Sequence, residues 1–585
     1  MSTAATPLTL LLAATLLAAQ TSIFNAPDIE PFTYSGPSTS RLEIVPVEGR
    51  DFTRAMRLRT PDGLPATLAR EYSIRVRALV PTELKRNDWV LATFSVRATE
   101  RTGDTAYVKL NYERAASPYT KSLGVTLPVP DQWKRFQIPF QIAENYNPRE
   151  SYFDFWIGYD PQTIEIGGVK IEKQLEGFNV QGIETGYSYQ GREADATWRK
   201  DAAERIDKFR KADFKLTITD ANDAPLPATV QVRMKRHSFA FGTAVVAQAL
   251  LSNAPDDLKY KEWFFRLFNS AVFENDFKWP GFEQNRTRAL TALDYLRDQG
   301  ITMLRGHNMV WPTFTYLPRD LPALADNPEA MRQRINTHIL DVGRATAGKF
   351  RDWDVLNEPI PNRDLQKVLG DEEMVEWFKK ARESDPQARL FINEYNIIPN
   401  EAANKVKQDE YYRLIGWLKE KGAPIDGLGE QGHFGFTLTG IDKAKQILDR
   451  FADLGLIIQV TEFDIDIYDE KLQADYTRDY LTLCFSHPSI DSFLMWGFWE
   501  ARHWKPQAAI LRRDWTLKPN GEVWRDLIAK EWWTNADLKT DDAGLATQRG
   551  FLGDYEITVL TEDGRTKTIP ATLVKDGTTL NIKLD

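Results

Sequence analysis

The chain of 585 residues holds one cysteine, Cys484, so no disulfide can close within it and no cysteine cluster can bind zinc or an iron–sulfur centre. Cys484 sits in an apolar helical pattern with Tyr480, Leu481, Leu483 and Phe485, which reads as core and not as a reactive thiol. Histidine is scarce as well: six residues, none at ligand spacing, give no signature of a metal site. Excess positive charge is also lacking. With 74 Lys and Arg against 83 Asp and Glu, the net charge of −9 argues against nucleic acid or an anionic membrane as the main partner. No apolar run reaches the roughly 20 residues that a membrane-spanning helix needs. An uncharged, mostly apolar run at 8–19 instead suits the hydrophobic core of a leader, with Ala18 and Ala19 permitting cleavage nearby, although Lys and Arg are absent from the first ten residues. The expectation is a signal peptide over 1–20 and hence a secreted protein, extracellular, periplasmic or at the cell surface.

What the chain has in quantity is aromatic surface: 17 Trp, 20 Tyr and 31 Phe. Aromatic faces stack on the apolar faces of sugar rings, although most aromatic residues of any chain serve the core. A hydrophobic content of 42% predicts at least one sizeable core, and the length predicts three or four domains. Over 28–175 apolar residues alternate at period two, for example at 72–80, 90–96, 106–112, 134–142 and 152–159, with turn residues between. This predicts an all-β sandwich, and its close at 164–172 resembles the last strand of a jelly-roll carbohydrate-binding module. Trp89, Tyr119, Trp133 and Trp156 are its candidate stacking residues; the alternative is a sandwich that only spaces or stabilises its neighbour. Residues 176–234 read as a linker (176–194), a short charged helix (201–211) and a β-hairpin of strands 214–218 and 228–234.

From 235 to 533 short apolar strands alternate with amphipathic helices. Strands are expected at 239–245, 270–275, 302–310, 352–358, 389–395, 427–433, 457–464 and 492–499, the eightfold repeat of a (β/α)8 barrel. Residues 534–585 predict a small β appendage. The overall expectation is an α/β barrel with an N-terminal β-sandwich.

The chemistry centres on residues 351–362, R-D-W-D-V-L-N-E-P-I-P-N. An apolar strand stops on Asn357-Glu358-Pro359, because Pro359 cannot donate to a continuing ladder. A carboxylate is thereby delivered to the carboxyl end of a barrel strand, where such folds place their chemistry. Glu462 closes the seventh strand in the same manner, and strands four and seven face each other across a barrel. Glycoside cleavage needs such a pair, one carboxylic acid to protonate the leaving oxygen and a second carboxylate across the sugar plane.

Four strings in order, F-E-N-D-F-K-W at 273–279, G-H-N-M-V-W at 306–311, W-D-V-L-N-E-P at 353–359 and V-T-E-F-D-I at 460–465, make the chain from about 235 to 532 resemble glycoside hydrolase family 10, the endo-1,4-β-xylanases. The resemblance implies that Glu358 is the acid/base and Glu462 the nucleophile of a retaining double displacement, with carboxyls about 5 Å apart. His433, between Glu462 and Asp464, would orient the nucleophile and keep it ionised, with a satisfied structural histidine as the alternative. Asn357 would bond a sugar 2-hydroxyl, and Glu274, Asn275 and Lys278 would bracket hydroxyls on the glycone side. A purely structural Glu274–Lys278 ion pair is the alternative for that group. His307 and Trp311 match the wall beside the reacting sugar, Gln431 a residue contacting the nucleophile's sugar, Tyr395 a groove tyrosine, and Trp496 with Trp504 an aromatic platform. The family's chemistry requires no metal and no organic cofactor, and its partner is xylan or a related plant cell-wall polysaccharide.

The chain departs from the family pattern at Pro312, at Phe463 and in the last loop, where Glu500, Arg502, His503 and Lys505 replace a plainer sequence. Arg502 and Lys505 read either as a cationic pair for an acidic branch such as a glucuronosyl group or as a surface charge cluster. Two other readings stand beside xylan cleavage: a barrel glycosidase acting on β-glucan or on both polymers, and a catalytically silent polysaccharide-binding protein.

Overall fold

The computed structural model describes residues 21–24, 29–63, 71–103 and 105–584; the expected leader at 1–20 lies outside the described residues. The chain divides into two units between Gly186 and Tyr187.

The first unit is built from two antiparallel sheets. One orders strands Leu42–Pro46, Arg54–Thr60, Gln162–Lys173, Trp89–Arg101 and Lys134–Gln141, with Thr21–Ser22 added beside Gln162–Lys173. The other orders Thr33–Ser35, Arg75–Leu79, Ser151–Trp156, Ala106–Arg114 and Lys121–Val129. Alternation puts every second side chain inside, as with buried Val76 and Ala78 between half-buried Arg75, Arg77 and Leu79. The two inner faces meet in aromatic contacts such as Phe94 against Phe155, 5.2 Å between ring centroids. Of the four candidate stacking residues Tyr119 alone is largely exposed. Trp156 is buried beside Tyr72, Trp133 packs edge-on to Phe52, and Trp89 lies against Phe178.

In the second unit eight parallel strands close a barrel: β1 (Ala240–Val245), β2 (Ser270–Phe273), β3 (Met303–Val310), β4 (Asp352–Asn357), β5 (Arg389–Glu394), β6 (Gly427–Glu430), β7 (Ile457–Ile465) and β8 (Ile490–Met495). Each pairs with the next, and β8 returns to β1 through the register Ala240↔Ser492. β4 is buried at every position, the reading of a strand covered on both faces. A two-residue strand, His433–Phe434, adds to the end of β7 with His433 opposite Asp464. Among the described residues no helix is long and apolar enough to cross a membrane.

Two expectations are corrected around the barrel. The predicted hairpin does not form. Strand Lys211–Thr219 lies in a three-stranded sheet between Leu545–Phe551 and Thr578–Lys583, whereas Ala228–His237 lies in a four-stranded sheet with Asn535–Lys539, Gly553–Thr561 and Thr566–Leu573. The expected C-terminal appendage and the expected hairpin are therefore one body. The cause is coverage: Phe214, Leu216 and Ile218 on one strand and Val230, Val232 and Met234 on the other each form an apolar face. A lone hairpin would leave both uncovered, and burying each such side chain is worth about 1.5–3 kcal/mol. Phe214 of one sheet meets Tyr555 of the other at 5.0 Å.

The expected linker is also partly structural. Tyr189 is buried and donates to Asp479 at 2.7 Å, and the Gln190 carbonyl accepts from the Ile441 amide at 3.0 Å. The segment lacks periodicity because it is irregular, with Tyr187 against Phe436 of a loop and Tyr189 edge-on to Tyr476 of a barrel helix.

Candidate active site

The polar residues expected for chemistry gather at the carboxyl ends of the barrel strands. Glu358 follows β4, Tyr395 follows β5, Gln431 follows β6, Trp496 follows β8, Glu274 follows β2, and Glu462 lies within β7 two residues before Asp464. Parallel strands stop here because each ladder runs out together, leaving backbone and side chains free to point over the barrel mouth.

Glu358 has φ +52°, a left-handed conformation that costs a non-glycine residue about 1–3 kcal/mol and persists only where neighbours hold it. Its amide donates to the Asn393 carbonyl at 2.8 Å, Gln431 Nε2 donates to Oε1 at 2.9 Å, and Asn362 Nδ2 donates to Oε2 at 3.3 Å. Burial raises the carboxyl above its ordinary range and the charge of Glu462 adds to this, while the Gln431 hydrogen bond opposes it.

Glu462 has different company. Asn393 Nδ2 donates to Oε1 at 2.8 Å, and His433 Nε2 stands 3.2 Å from Oε2. Asp464 Oδ2 lies 3.0 Å from His433 Nδ1 and itself accepts from Trp504 Nε1 at 2.7 Å. Burial alone would raise Glu462, but the hydrogen bond from His433, together with His307, the His433 charge and Lys278, outweighs it and lowers the carboxyl. Burial likewise opposes charge on His433, yet Asp464 and Glu462 carry its imidazole up to about 10. At neutral pH the site therefore holds a cationic histidine between two carboxylates.

Asn357 is buried and accepts from Asn393 Nδ2 at 2.9 Å, and its own Nδ2 has no acceptor. A buried donor left free is costly unless a ligand completes it. His307 Nδ1 stands 2.9 Å from Asp354 Oδ2, and its ring meets Trp496 edge-on at 5.1 Å. Asp354 also anchors Arg305 in the barrel interior, so one carboxylate orients both side chains.

Lys278 Nζ donates to Asn275 Oδ1 at 3.0 Å and sits 5.4 Å above the Trp311 ring and 5.9 Å from Trp496. Burial lowers this ammonium while Glu462, Glu274 and Glu358 hold it up. Burial raises Glu274 and the charge of Lys278 opposes this, but among the described residues no ion pair joins the two, so the structural pair considered as an alternative is not formed.

Three residues have protein partners that the sequence did not show. Gln431, matched to the nucleophile's sugar, bonds the other carboxylate, Glu358. Arg502 and Lys505, expected free for an acidic branch, are both engaged, Arg502 with Asp257 at 2.7 Å and Lys505 with Asp466 at 2.9 Å. Both partners lie far away in sequence, which local charge counting cannot see.

The family comparison is decided by the barrel: the model of glycosyl hydrolase family 10 matches residues 230–522, half of the chain. The chain belongs to glycosyl hydrolase family 10. Among curated relatives, anti-sigma-I factor RsgI6 of Acetivibrio thermocellus is 34% identical over 371 residues, covering 62% of this chain and 46% of that protein. Endo-1,4-beta-xylanase 1 of Arabidopsis thaliana is 29% identical over 362 residues, 61% of this chain and 37% of that protein. The chain thus spans less than half the length of these two relatives. Of solved structures, xylanase 10B from Thermotoga petrophila RKU-1 in complex with xylobiose aligns at 26% identity with TM-score 0.46, covering 50% of this chain and 95% of that one.

Within this family 10 barrel three residues were missed by sequence reasoning. Asn393 touches Glu462 and Asn357 at once, its Oδ1 accepting from Thr461 at 2.7 Å. Glu394 and Lys407 form a buried ion pair at 2.8 Å, in which Glu394 Oε2 accepts from the Ile360 amide just past Glu358, and Lys407 Nζ lies 3.2 Å above the Tyr395 ring. Burial raises Glu394 to about 7 against the opposing charge of Lys407. The available signal was N-E at the end of β5, polar residues closing an apolar strand as N-E does in β4.

Proposed function

We propose that this protein is a retaining endo-1,4-β-xylanase. The observation that carries the reading is the asymmetry of its two buried carboxyls: Glu358 is biased to keep a proton, and Glu462 to lose it. In the first step the Glu462 carboxylate attacks the anomeric carbon, the glycosidic C–O bond breaks, and the Glu358 proton passes to the leaving oxygen. In the second step Glu358, now a carboxylate, takes a proton from water, whose oxygen attacks the anomeric carbon and releases Glu462. The free Nδ2 of Asn357 meets the sugar 2-hydroxyl, where hydrogen bonds tighten in the transition state. Glu274, Asn275 and Lys278 bind hydroxyls on the glycone side, beside Trp311 and His307. Tyr395 lines the groove next to the acid.

Xylan is favoured over β-glucan by the packing around Trp496, which is 6% exposed and wedged between His307 and Lys278. A hydroxymethyl group must displace such packing, a penalty of about 1–3 kcal/mol. On this reading the N-terminal sandwich binds polysaccharide and the protein acts outside the cytoplasm, as its leader-like start suggests. Initial rates on xylan and on a soluble cellulose derivative test the specificity, with xylan expected to be faster; the reverse order would overturn it. Release of no products from either polymer would favour a silent binding protein.

A further inference from the structure

Beside the carboxylates a groove of about 1010 Å³ opens between the start of the helix after β2 and the loop after β3, its walls including Asn275, Lys278, Glu283, Trp311, Tyr316 and Arg319. Its charges are not balanced. Glu283 is already satisfied, accepting from Arg334 Nη2 at 2.8 and 3.0 Å and from Trp279 Nε1 at 2.8 Å. The neighbouring Asp320 is held by the same arginine at 2.9 Å. Among the described residues Lys278 Nζ has only the neutral Asn275 amide as its hydrogen-bond partner, and the Glu462, Glu274 and Glu358 carboxyls offset its charge. Arg319 is exposed and has neither ion pair nor hydrogen bond among the described residues. In a chain of net charge −9, this groove offers one cation without a partner, Arg319, beside one spent carboxylate.

The same walls supply a sugar-sized apolar face. Tyr316 stacks on Trp311 with centroids 3.9 Å apart and is 48% exposed, so one ring face is covered by indole and the other is open. The Trp311 Nε1 hydrogen is buried without an acceptor. An aromatic plate, an unmatched donor and an unpaired guanidinium are the parts that recognise a pyranose bearing a carboxylate.

We propose that this groove is a subsite for a uronosyl branch, its carboxylate on Arg319 and its ring on Tyr316. The proposal rests on the xylan reading and moves acidic-branch recognition from the paired Arg502 and Lys505 to the loop after β3. Arg319 is a specificity residue and takes no part in bond cleavage.

The test compares kcat/KM on glucuronoxylan with that on the same polymer after reduction of its carboxyl groups, for the parent protein, Arg319→Ala and Arg319→Lys. The parent is expected to prefer the charged polymer by about two- to fivefold at low salt, the scale of a partly exposed ion pair. Arg319→Ala should lose that preference and Arg319→Lys regain part of it. Equal rates for the parent on both polymers, or a preference that survives Arg319→Ala, would overturn the proposal. If the parent releases no product from either polymer, the xylan reading fails by itself. Calorimetric titration with a glucuronosyl-xylotriose then decides the subsite: tighter binding to the parent than to Arg319→Ala supports it, and equal binding refutes it.

Discussion

The ends of β4 and β7 set two glutamates in one barrel mouth, both buried, with opposite outcomes. At the end of β4, Glu358 is touched by amides, from Gln431 and Asn362, which soften the effect of burial without cancelling it. At β7, Glu462 touches an imidazole that Asp464 keeps protonated, and burial loses to charge. Desolvation pushes every carboxyl the same way, so roles are assigned by what else stands within hydrogen-bond reach. Asn393 joins the two ends, its carbonyl holding the Glu358 amide and its side chain the Glu462 carboxylate.

Removing one side of the comparison outright should give the largest effect. Glu462→Gln is expected to lose about 10⁴-fold or more in turnover on every substrate, the scale of deleting a nucleophile; residual rates within tenfold of the parent would refute the role. Glu358→Ala should cost about 10²–10⁴-fold on xylan, the worth of general acid catalysis, yet far less on an aryl xyloside whose leaving group needs no proton. Equal losses on both substrates would contradict the assignment.

Erasing the charge difference comes next. Asn393→Ala and His433→Gln each remove a hydrogen bond to ionised Glu462 and should cost about 10- to 100-fold in kcat. His433→Gln should also move the acid limb of the kcat/KM profile to higher pH, since Glu462 loses the partner that lowers it. Stability provides a second reading. The imidazole titrates near 10 when folded against an ordinary 6.5, so its contribution is full below about 6.5 and fades as pH rises towards 10. Thermal melts of parent and variant should therefore differ most at low pH and converge at high pH. The smallest effect sharpens the Glu358 side: Gln431→Met removes a bond that lowers its carboxyl, so the alkaline limb should shift to higher pH with kcat changed severalfold at most.

Much of this site was readable before any coordinates. Glu358 follows one apolar strand and Glu462 lies near the end of another, three strands on in an eightfold repeat, and a strand end is a local property that Pro359 or a change of pattern declares. Partners across the fold are another matter. Alternation in 211–219 and 228–237 reveals an apolar face but not what covers it, and the covering strands come some 300 residues later. Arg502 shows a charge in the sequence, and Asp257, 245 residues away, cancels it. Gln431 was legible as a groove residue, while the carboxylate it bonds depended on the turn that swings Glu358 into the left-handed region.

The shared β body has a consequence in time. Its middle strand, Lys211–Thr219, leaves the ribosome before any barrel strand, yet its parallel partner Thr578–Lys583 follows the last of them. For tens of seconds at ordinary elongation rates, the apolar face of Phe214, Leu216 and Ile218 waits without its cover while the barrel assembles. The barrel is thus synthesised in full before the β body's last strands, and a nascent chain stalled before residue 545 would leave this apolar face without its covering strands.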